Sequence, residues 1–442
     1  MQTMPPPLNI KSAQGVKLKT ENGRELIDAI SSWWCVIHGY NHPKINAAID
    51  KQLKKFAHIM LGGLTHNAAE KLAEELVRIT PKGLDYVFFA DSGSVGMEVA
   101  MKMAVQYWKN NSSKDGTVKK YRFASLYKGY HGDTTGVMSI SDPKEGMHHL
   151  FKGYLPWQYF INPPIGFTDL AGCNASLNKM ENLFKMHAEE IAAFVCEPLL
   201  QGAGGFNFYP PEFLRGIREL CNKYNVLWIA DEVATGFGRT GNMFAVEQAA
   251  KGKTKIIPDI MVLGKGLTAG YLGLSATLAT EKIYNSFLGN AYEKAFMHGP
   301  TFMGNALACS AALASIQIFE RENYLEKIAK INKILTDELL NFKAKGVKEC
   351  RVLGACGVIE TENESDHNGI QEFAAKRGVW LRPFLKVVYT TPPYIITESE
   401  LRKVCKTMKD FFIQKETSKT ESRFRKTETF RGDGEPILNK KR

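Results

Sequence analysis

No stretch of this 442-residue sequence approaches the roughly 20 unbroken apolar residues of a membrane-spanning helix, so no membrane partner is expected. The opening MQTMPPPLNIK lacks the basic-then-apolar order of a secretory signal, and a cytoplasmic protein is the expectation. The eight cysteines (Cys35, Cys173, Cys196, Cys221, Cys309, Cys350, Cys356 and Cys405) include no CxxC pair and no histidine partner at zinc spacing. That points to reduced thiols and to no metal centre. No Gly-Lys-Ser/Thr follows the glycine-bearing FFADSGSVGMEVAMK, and it is not a GxGxxG, so a nucleotide-dependent dehydrogenase is unsupported. Tryptophan is scarce, six in all, yet two stand side by side in ISSWWCVIHGYNHP, residues 30–43. Neighbours on a strand face opposite ways, so one core does not easily absorb both indoles.

The net charge of +11 raises the question of nucleic acid. Much of the excess lies in KETSKTESRFRKTETFRGDGEPILNKKR, which lacks apolar periodicity and reads as a solvated tail. The other basic residues are spread along helical patterns such as KINAAIDKQLKKF, and no nucleic-acid module is present, so no nucleic-acid partner is expected.

From about residue 67 the chain alternates helix and strand patterns. NAAEKLAEELVRIT has apolar residues at helical spacing and stops before Pro81; VGMEVAMKMAVQYWK and PPEFLRGIRELCNKY are further helices. DYVFFADSGS, YRFASLYKGYHG, EIAAFVCEPLL, NVLWIADEV, DIMVLGKGL and LGLSATLAT are short apolar runs that end in polar or glycine-bearing loops. Such alternation implies an α/β fold with a large, doubly wound, mostly parallel sheet, whose ligands bind at the carboxyl ends of the strands. After residue 310 a long helical region, interrupted at REN, precedes VLGACGVIETE and GVWLRPF, the strands of a smaller α+β unit. The expected division is 1–45 and 311–414 as the two parts of a small domain, 46–310 as the large domain, and 415–442 as a disordered basic tail.

The polar residues worth weighing stand just after the apolar runs. Asp231, in NVLWIADEVATGFGRTG, is held at the mouth of the sheet and needs a positive partner. That partner is either a structural lysine or a protonated ring nitrogen, as in pyridoxal phosphate enzymes. Lys265, between two glycines in DIMVLGKGLTAG, is either a surface lysine in a glycine turn or the amine that forms a Schiff base with the cofactor aldehyde. With Asp231 one strand earlier, the cofactor reading moves ahead. Gly93 and Ser94 open a helix after a strand, where free N–H groups and the helix dipole favour an anion. QGAGGF at 201–206 has the glycines but leads into NFYPP and not into a helix. YKGYHGDT offers Tyr130 for stacking on a planar cofactor, with His131 as a loop residue satisfied by hydrogen bonds and Asp133 beside it; MHGPTFMGN offers the Thr301 hydroxyl to a phosphate.

Six separated stretches in order, ADSGSVGMEVAMKMA, YHGDT, EPLLQGAGG, DEVATGFGRTG, LGKGLT and HGPTFMGN, make the chain from about 20 to 410 resemble the class III aminotransferases of the fold-type I pyridoxal phosphate superfamily. The resemblance implies a transaminase with pyridoxal 5'-phosphate as cofactor, catalytic Lys265, Asp231 and Tyr130, and further cofactor contacts from Gly93, Ser94, Pro300 and Thr301. It implies substrate contacts from Trp33, Tyr130, Asp133, Lys265, Gly299 and Arg382. In this family the loop of Thr301 reaches the neighbouring subunit's cofactor, which implies a homodimer. Within the class, SSWWCVIHGYNHP, HGPTFMGN and GVWLRPF look like the branch that serves biotin synthesis, and Ala234, where many relatives carry glutamine, fits that branch too. S-adenosylmethionine is then the amino donor, lysine replacing it in some relatives, and 8-amino-7-oxononanoate the acceptor. The alternative is another class III ω-amino acid or diamine aminotransferase.

Such an acceptor has a long alkyl chain and one remote carboxylate, which suits apolar wall area plus one arginine. Trp33 is assigned to the wall and Trp34 to the core; Arg382 suits the carboxylate through its planar fork, with Arg239 either a second candidate or a structural ion pair. Relatives usually carry a His-Pro-Tyr-Thr segment upstream of the point where this sequence opens. Its pocket tyrosine is not expected here, and substrate affinity is the property that departure touches.

Overall fold

The computed structural model describes residues 7–112, 119–250, 252 and 256–428, with side chains described as far as 415. Its largest sheet has seven strands in the order Tyr86–Ala90, Ser275–Ala279, Ile260–Leu263, Leu227–Asp231, Ile191–Cys196, Arg122–Leu126 and Tyr159–Ile161. Six run the same way, and only Ser275–Ala279 is antiparallel to its neighbours. Both faces are covered, which is why these strands are continuous apolar runs. Leu227 and Ile229 join the cluster under Met97, Ala100 and Ala104 of the helix Gly93–Asn110, whereas Trp228 and Ala230 join the core on the opposite face. The doubly wound α/β architecture is therefore as expected from the sequence.

Helix Gly93–Asn110 starts where Ser92 accepts a hydrogen bond from the Val95 N–H at 3.3 Å. It packs against the strands Ile260–Leu263 and Ser275–Ala279, and Gly96 permits the close approach: a Cβ there would stand 2.7 Å from Ser275 Oγ. Helices Asn67–Ile79 and Pro211–Lys223 also lie where their periodicity placed them. The long helical region after residue 305 is two helices, Ala306–Arg321 and Tyr324–Leu339, divided at Asn323, whose φ is +50°.

The two chain ends meet. Strands Ile10–Gln14, Lys17–Thr20 and Glu25–Asp28 form a meander that Val379–Trp380 extends in parallel, with Ile27 opposite Val379. A second small sheet pairs Val347–Leu353, Cys356–Thr361 and Val387–Thr390, all antiparallel.

Three features differ from expectation. The edge strand Tyr159–Ile161 was not foreseen, because three residues carry too little pattern to register. The stretch 31–34 is not a strand but a left-handed turn. The terminal helix runs Glu398–Glu428, so helix continues through the first part of the segment read as a tail; residues 429–442 lie outside the described residues. All eight cysteines are unpaired, and no helix among the described residues is long and apolar enough to cross a membrane.

One buried acid gives this fold a pH signature. Glu232 is fully buried and accepts from the Thr235 hydroxyl and from the Val246 N–H at 2.8 Å, and burial pushes its carboxyl up to about 7. A carboxyl whose folded pKa lies above its unfolded value of 4.5 favours the folded state fully below pH 4.5, and that contribution is lost as pH rises through about 7. Replacing it by Gln, which still accepts from Val246 while its amide donates to the Thr235 oxygen, should flatten the decline. The expected change is up to about 1.4 kcal/mol per pH unit over that window, read by urea denaturation across a pH series.

Candidate active site

Five strands of the large sheet deliver polar residues to one edge. Tyr86–Ala90 leads to Ser92 and Gly93, Arg122–Leu126 to Tyr130, Ile191–Cys196 to Glu197, Leu227–Asp231 ends on Asp231, and Ile260–Leu263 leads to Lys265. All five positions lie on the carboxyl side, where an open parallel sheet leaves its crevice. They line a cavity of about 610 Å³, together with residues from the chain ends, among them Trp33, Trp34, Arg382 and Phe384.

Asp231 is buried, and two donors hold it: the Val233 N–H to Oδ1 at 3.1 Å and His131 Nδ1 to Oδ2 at 2.7 Å. The His131 ring is buried as well, its Nε2 lying 3.5 Å from Ser125 Oγ. His131 is thus satisfied by hydrogen bonds as expected, but its main partner is the carboxylate at the site. Lys265 lines the same cavity with a φ of +42° and makes no ion pair with Asp231 among the described residues. Burial pulls its ammonium below the usual lysine range, while the charges of Asp231 and Glu197 pull the other way.

Glu197 is a site residue the sequence reading passed over. It is buried, accepts from the Tyr130 N–H and the Gly202 N–H, each at 3.1 Å, and burial raises its carboxyl to about 7. The signal was present: an acid directly after the buried run IAAFVC, the same arrangement as Asp231. Tyr130 donates to Asp133 Oδ1 at 2.9 Å, and its ring stacks on His148.

The first two amides of helix Gly93–Asn110, those of Gly93 and Ser94, have no acceptor among the described residues. Ser94 Oγ accepts from the Asp133 N–H at 3.1 Å, which ties the cradle to the Tyr130 loop. Open amides at the positive end of an 18-residue helix form an anion site. Gly299, Pro300 and Thr301 do not join it: Gly299 and Thr301 are exposed, Pro300 is half-buried, and none of the three lines the cavity. QGAGGF forms the turn of a small hairpin in which Gly202 lies against Trp34.

The paired tryptophans sit in an unusual backbone. Ser31, Ser32, Trp33 and Trp34 have φ values of +49°, +43°, +59° and +79°, a left-handed turn that costs roughly 1–2 kcal/mol per non-glycine residue. The two indoles still part company. Trp34 is 8% exposed and stacks on Phe206 at 5.3 Å, whereas Trp33 is 63% exposed and lines the cavity. Arg382 also lines it, partly buried and without a carboxylate partner among the described residues. Arg239 does not line the cavity and makes no ion pair among the described residues. It is buried, donates to the carbonyls of Ala355 and Pro392 at 3.1 Å and of Trp34 at 3.4 Å, and lies over the Tyr394 ring.

The family follows from this architecture and from comparison. Residues 1–412 match the family model described as Aminotransferase class-III, and the chain belongs to that family. It is 42% identical over 400 residues, 90% of each chain, to the adenosylmethionine-8-amino-7-oxononanoate aminotransferase of Buchnera aphidicola subsp. Schizaphis graminum. A solved structure with the same description, from Methanocaldococcus jannaschii, superposes with a TM-score of 0.84 at 36% identity, covering 93% of this chain and 94% of that one. An amine transaminase of an uncultivated Pseudomonas species, in a PLP-bound form, gives 0.85 at 29% identity over 92% and 95%.

The residues present fit pyridoxal phosphate. Lys265 offers an amine of lowered pKa, Asp231 a braced carboxylate away from it, and Gly93 and Ser94 unbonded amides for the phosphate. Lys265→Ala is expected to abolish borohydride-fixed labelling of the protein by pyridoxal phosphate. Label still found on the variant by peptide mapping would remove Lys265 from its assigned role.

Proposed function

We propose that this aminotransferase moves an amino group from S-adenosylmethionine to 8-amino-7-oxononanoate, giving 7,8-diaminononanoate of biotin synthesis, with pyridoxal 5'-phosphate as cofactor. One observation carries the choice of acceptor: the cavity joins the Lys265–Asp231 centre to an apolar wall of Trp33, Trp34, Phe206 and Phe384 that includes the unpaired guanidinium of Arg382. A long alkyl chain ending in a carboxylate is complementary to that combination. The named relatives act on the same pair of substrates by their descriptions, which supports the reading.

Bound pyridoxal phosphate supplies the electron sink and the temporary store of nitrogen. Asp231, oriented by His131 and the Val233 N–H, holds the proton on the cofactor's ring nitrogen. Lys265, whose burial enlarges the neutral fraction of its amine, would take the proton from the amine-bearing carbon of the donor and pass it to the cofactor's former aldehyde carbon, and would move a proton the other way, onto the acceptor's ketone carbon, in the second half-reaction. Gly93 and Ser94 anchor the phosphate through backbone amides, and Tyr130 closes the cofactor face, its hydroxyl fixed by Asp133. Arg382 binds the remote carboxylate of the acceptor, while Trp33 excludes water from its alkyl chain. Gly299, Pro300 and Thr301, which lie outside the cavity of the single chain, serve the cofactor of a second copy, so the working form is a homodimer in the cytoplasm.

Adding S-adenosylmethionine alone to the yellow holoenzyme should bleach the cofactor band. A band that persists with this donor and is bleached by lysine would overturn the choice of donor. Arg382→Ala should raise the KM for 8-amino-7-oxononanoate by roughly 10- to 100-fold while leaving cofactor labelling intact, with Arg382→Lys recovering only part.

A further inference from the structure

Trp33 has no ring partner among the described residues, in contrast to Trp34 against Phe206. Its direction is therefore set by its backbone, and that backbone is left-handed for four residues without a glycine. Something outside the turn has to hold it. Asp28, the last residue of its strand, is 1% exposed and has no cationic partner among the described residues. Its Oδ1 accepts from the Ile30 N–H at 3.0 Å, and its Oδ2 from the Ser32 N–H at 2.8 Å and the Tyr40 hydroxyl at 2.6 Å. The Tyr40 hydroxyl also meets Ser32 Oγ, and the Tyr40 backbone is fixed by a pair of bonds to Gly15, at 2.7 and 3.1 Å. On the far side Thr390 and Thr391 hold the same segment: Thr390 Oγ1 donates to Ala29 O, Thr391 Oγ1 to Ile30 O, and Ser31 Oγ to Thr391 O. Residues 29–32 are thus tied on two sides immediately before the indole that faces the cavity.

We infer that Asp28 and Tyr40 are positioning residues that hold the left-handed turn so that Trp33 walls the acceptor end of the cavity. This rests on the reading of Trp33 and Arg382 given above. Neither Asp28 nor Tyr40 lines the cavity, so their influence passes through the turn. The carboxylate is suited to the task because one rigid group accepts two amides two residues apart and a hydroxyl, a set that asparagine, with one acceptor oxygen, does not reproduce.

The test is Asp28→Asn and Tyr40→Phe in the full-length holoenzyme, each alone and combined with Trp33→Ala. Hydrogen exchange at the amides of residues 30–34 should accelerate in both variants while the strands of the large sheet keep their protection. The KM for 8-amino-7-oxononanoate should rise about tenfold in Asp28→Asn and severalfold in Tyr40→Phe, with the yield of borohydride-fixed pyridoxal phosphate unchanged. In the Trp33→Ala background the two substitutions should add less than a twofold rise, because the residue they place is gone. A rise that stays undiminished without the indole overturns the inference, since the loss is then a general one. Unchanged exchange in both variants overturns it whatever the substrate proves to be. Should Asp28→Asn fail to fold, Tyr40→Phe, which removes one hydroxyl, decides alone. A wild-type enzyme that does not aminate the oxononanoate defeats the proposed function instead, and the exchange data still judge the hold on the turn.

Discussion

The arrangement of the site follows from one electrostatic constraint. An amine and a carboxylate are brought to neighbouring strand ends in the same cavity and kept out of contact. Direct pairing would satisfy both charges and close the space between them. Instead the Asp231 carboxylate is satisfied sideways, by His131 and a backbone amide, and Lys265 is left with its charged form disfavoured by burial. The surrounding architecture serves that separation. The parallel register sets Asp231 beside Val262, three residues ahead of Lys265, so the lysine arises from the loop beyond the strand and not from a pairing partner. The result is an amine that is partly desolvated and has no salt-bridge partner among the described residues.

Charge is managed in the same manner elsewhere in the molecule. Glu197 and Glu232 are buried on backbone and hydroxyl donors, Arg239 is buried on carbonyls, and Asp28 on two amides and a phenol. In each case an ionisable side chain organises nearby loop backbone. Ordinary loops there would have no regular ladder to satisfy their polar groups, and the side chains supply the missing partners.

Much of this was legible in the sequence because burial on both faces leaves a strong trace. Apolar runs marked six of the seven strands, and the polar residues just beyond them included Asp231 and Lys265. The same rule would have yielded Glu197 had it been applied after IAAFVC. What was not legible depends on distance along the chain. His131 meets Asp231 across 100 residues, and nothing local to YHGDT announces it. The left-handed turn has no glycine or asparagine among residues 31–34 to betray it, and the bonds it makes with Thr391 reach far along the chain. The inverted direction of Ser275–Ala279 was equally hidden, a buried strand being apolar throughout in either sense.

The clamp that Thr390 and Thr391 close on Ala29 and Ile30 spans about 360 positions of the chain. The order in which the cavity is made during translation follows from that span. By the time residue 265 has left the ribosome, the lysine, the aspartate and the amides for an anion have all been synthesised. The guanidinium at 382 and the threonines that bond Ala29 and Ile30 come only near the end. A growing chain thus contains Gly93, Asp231 and Lys265 well before it contains Arg382 and the threonines that tie down the segment ahead of Trp33.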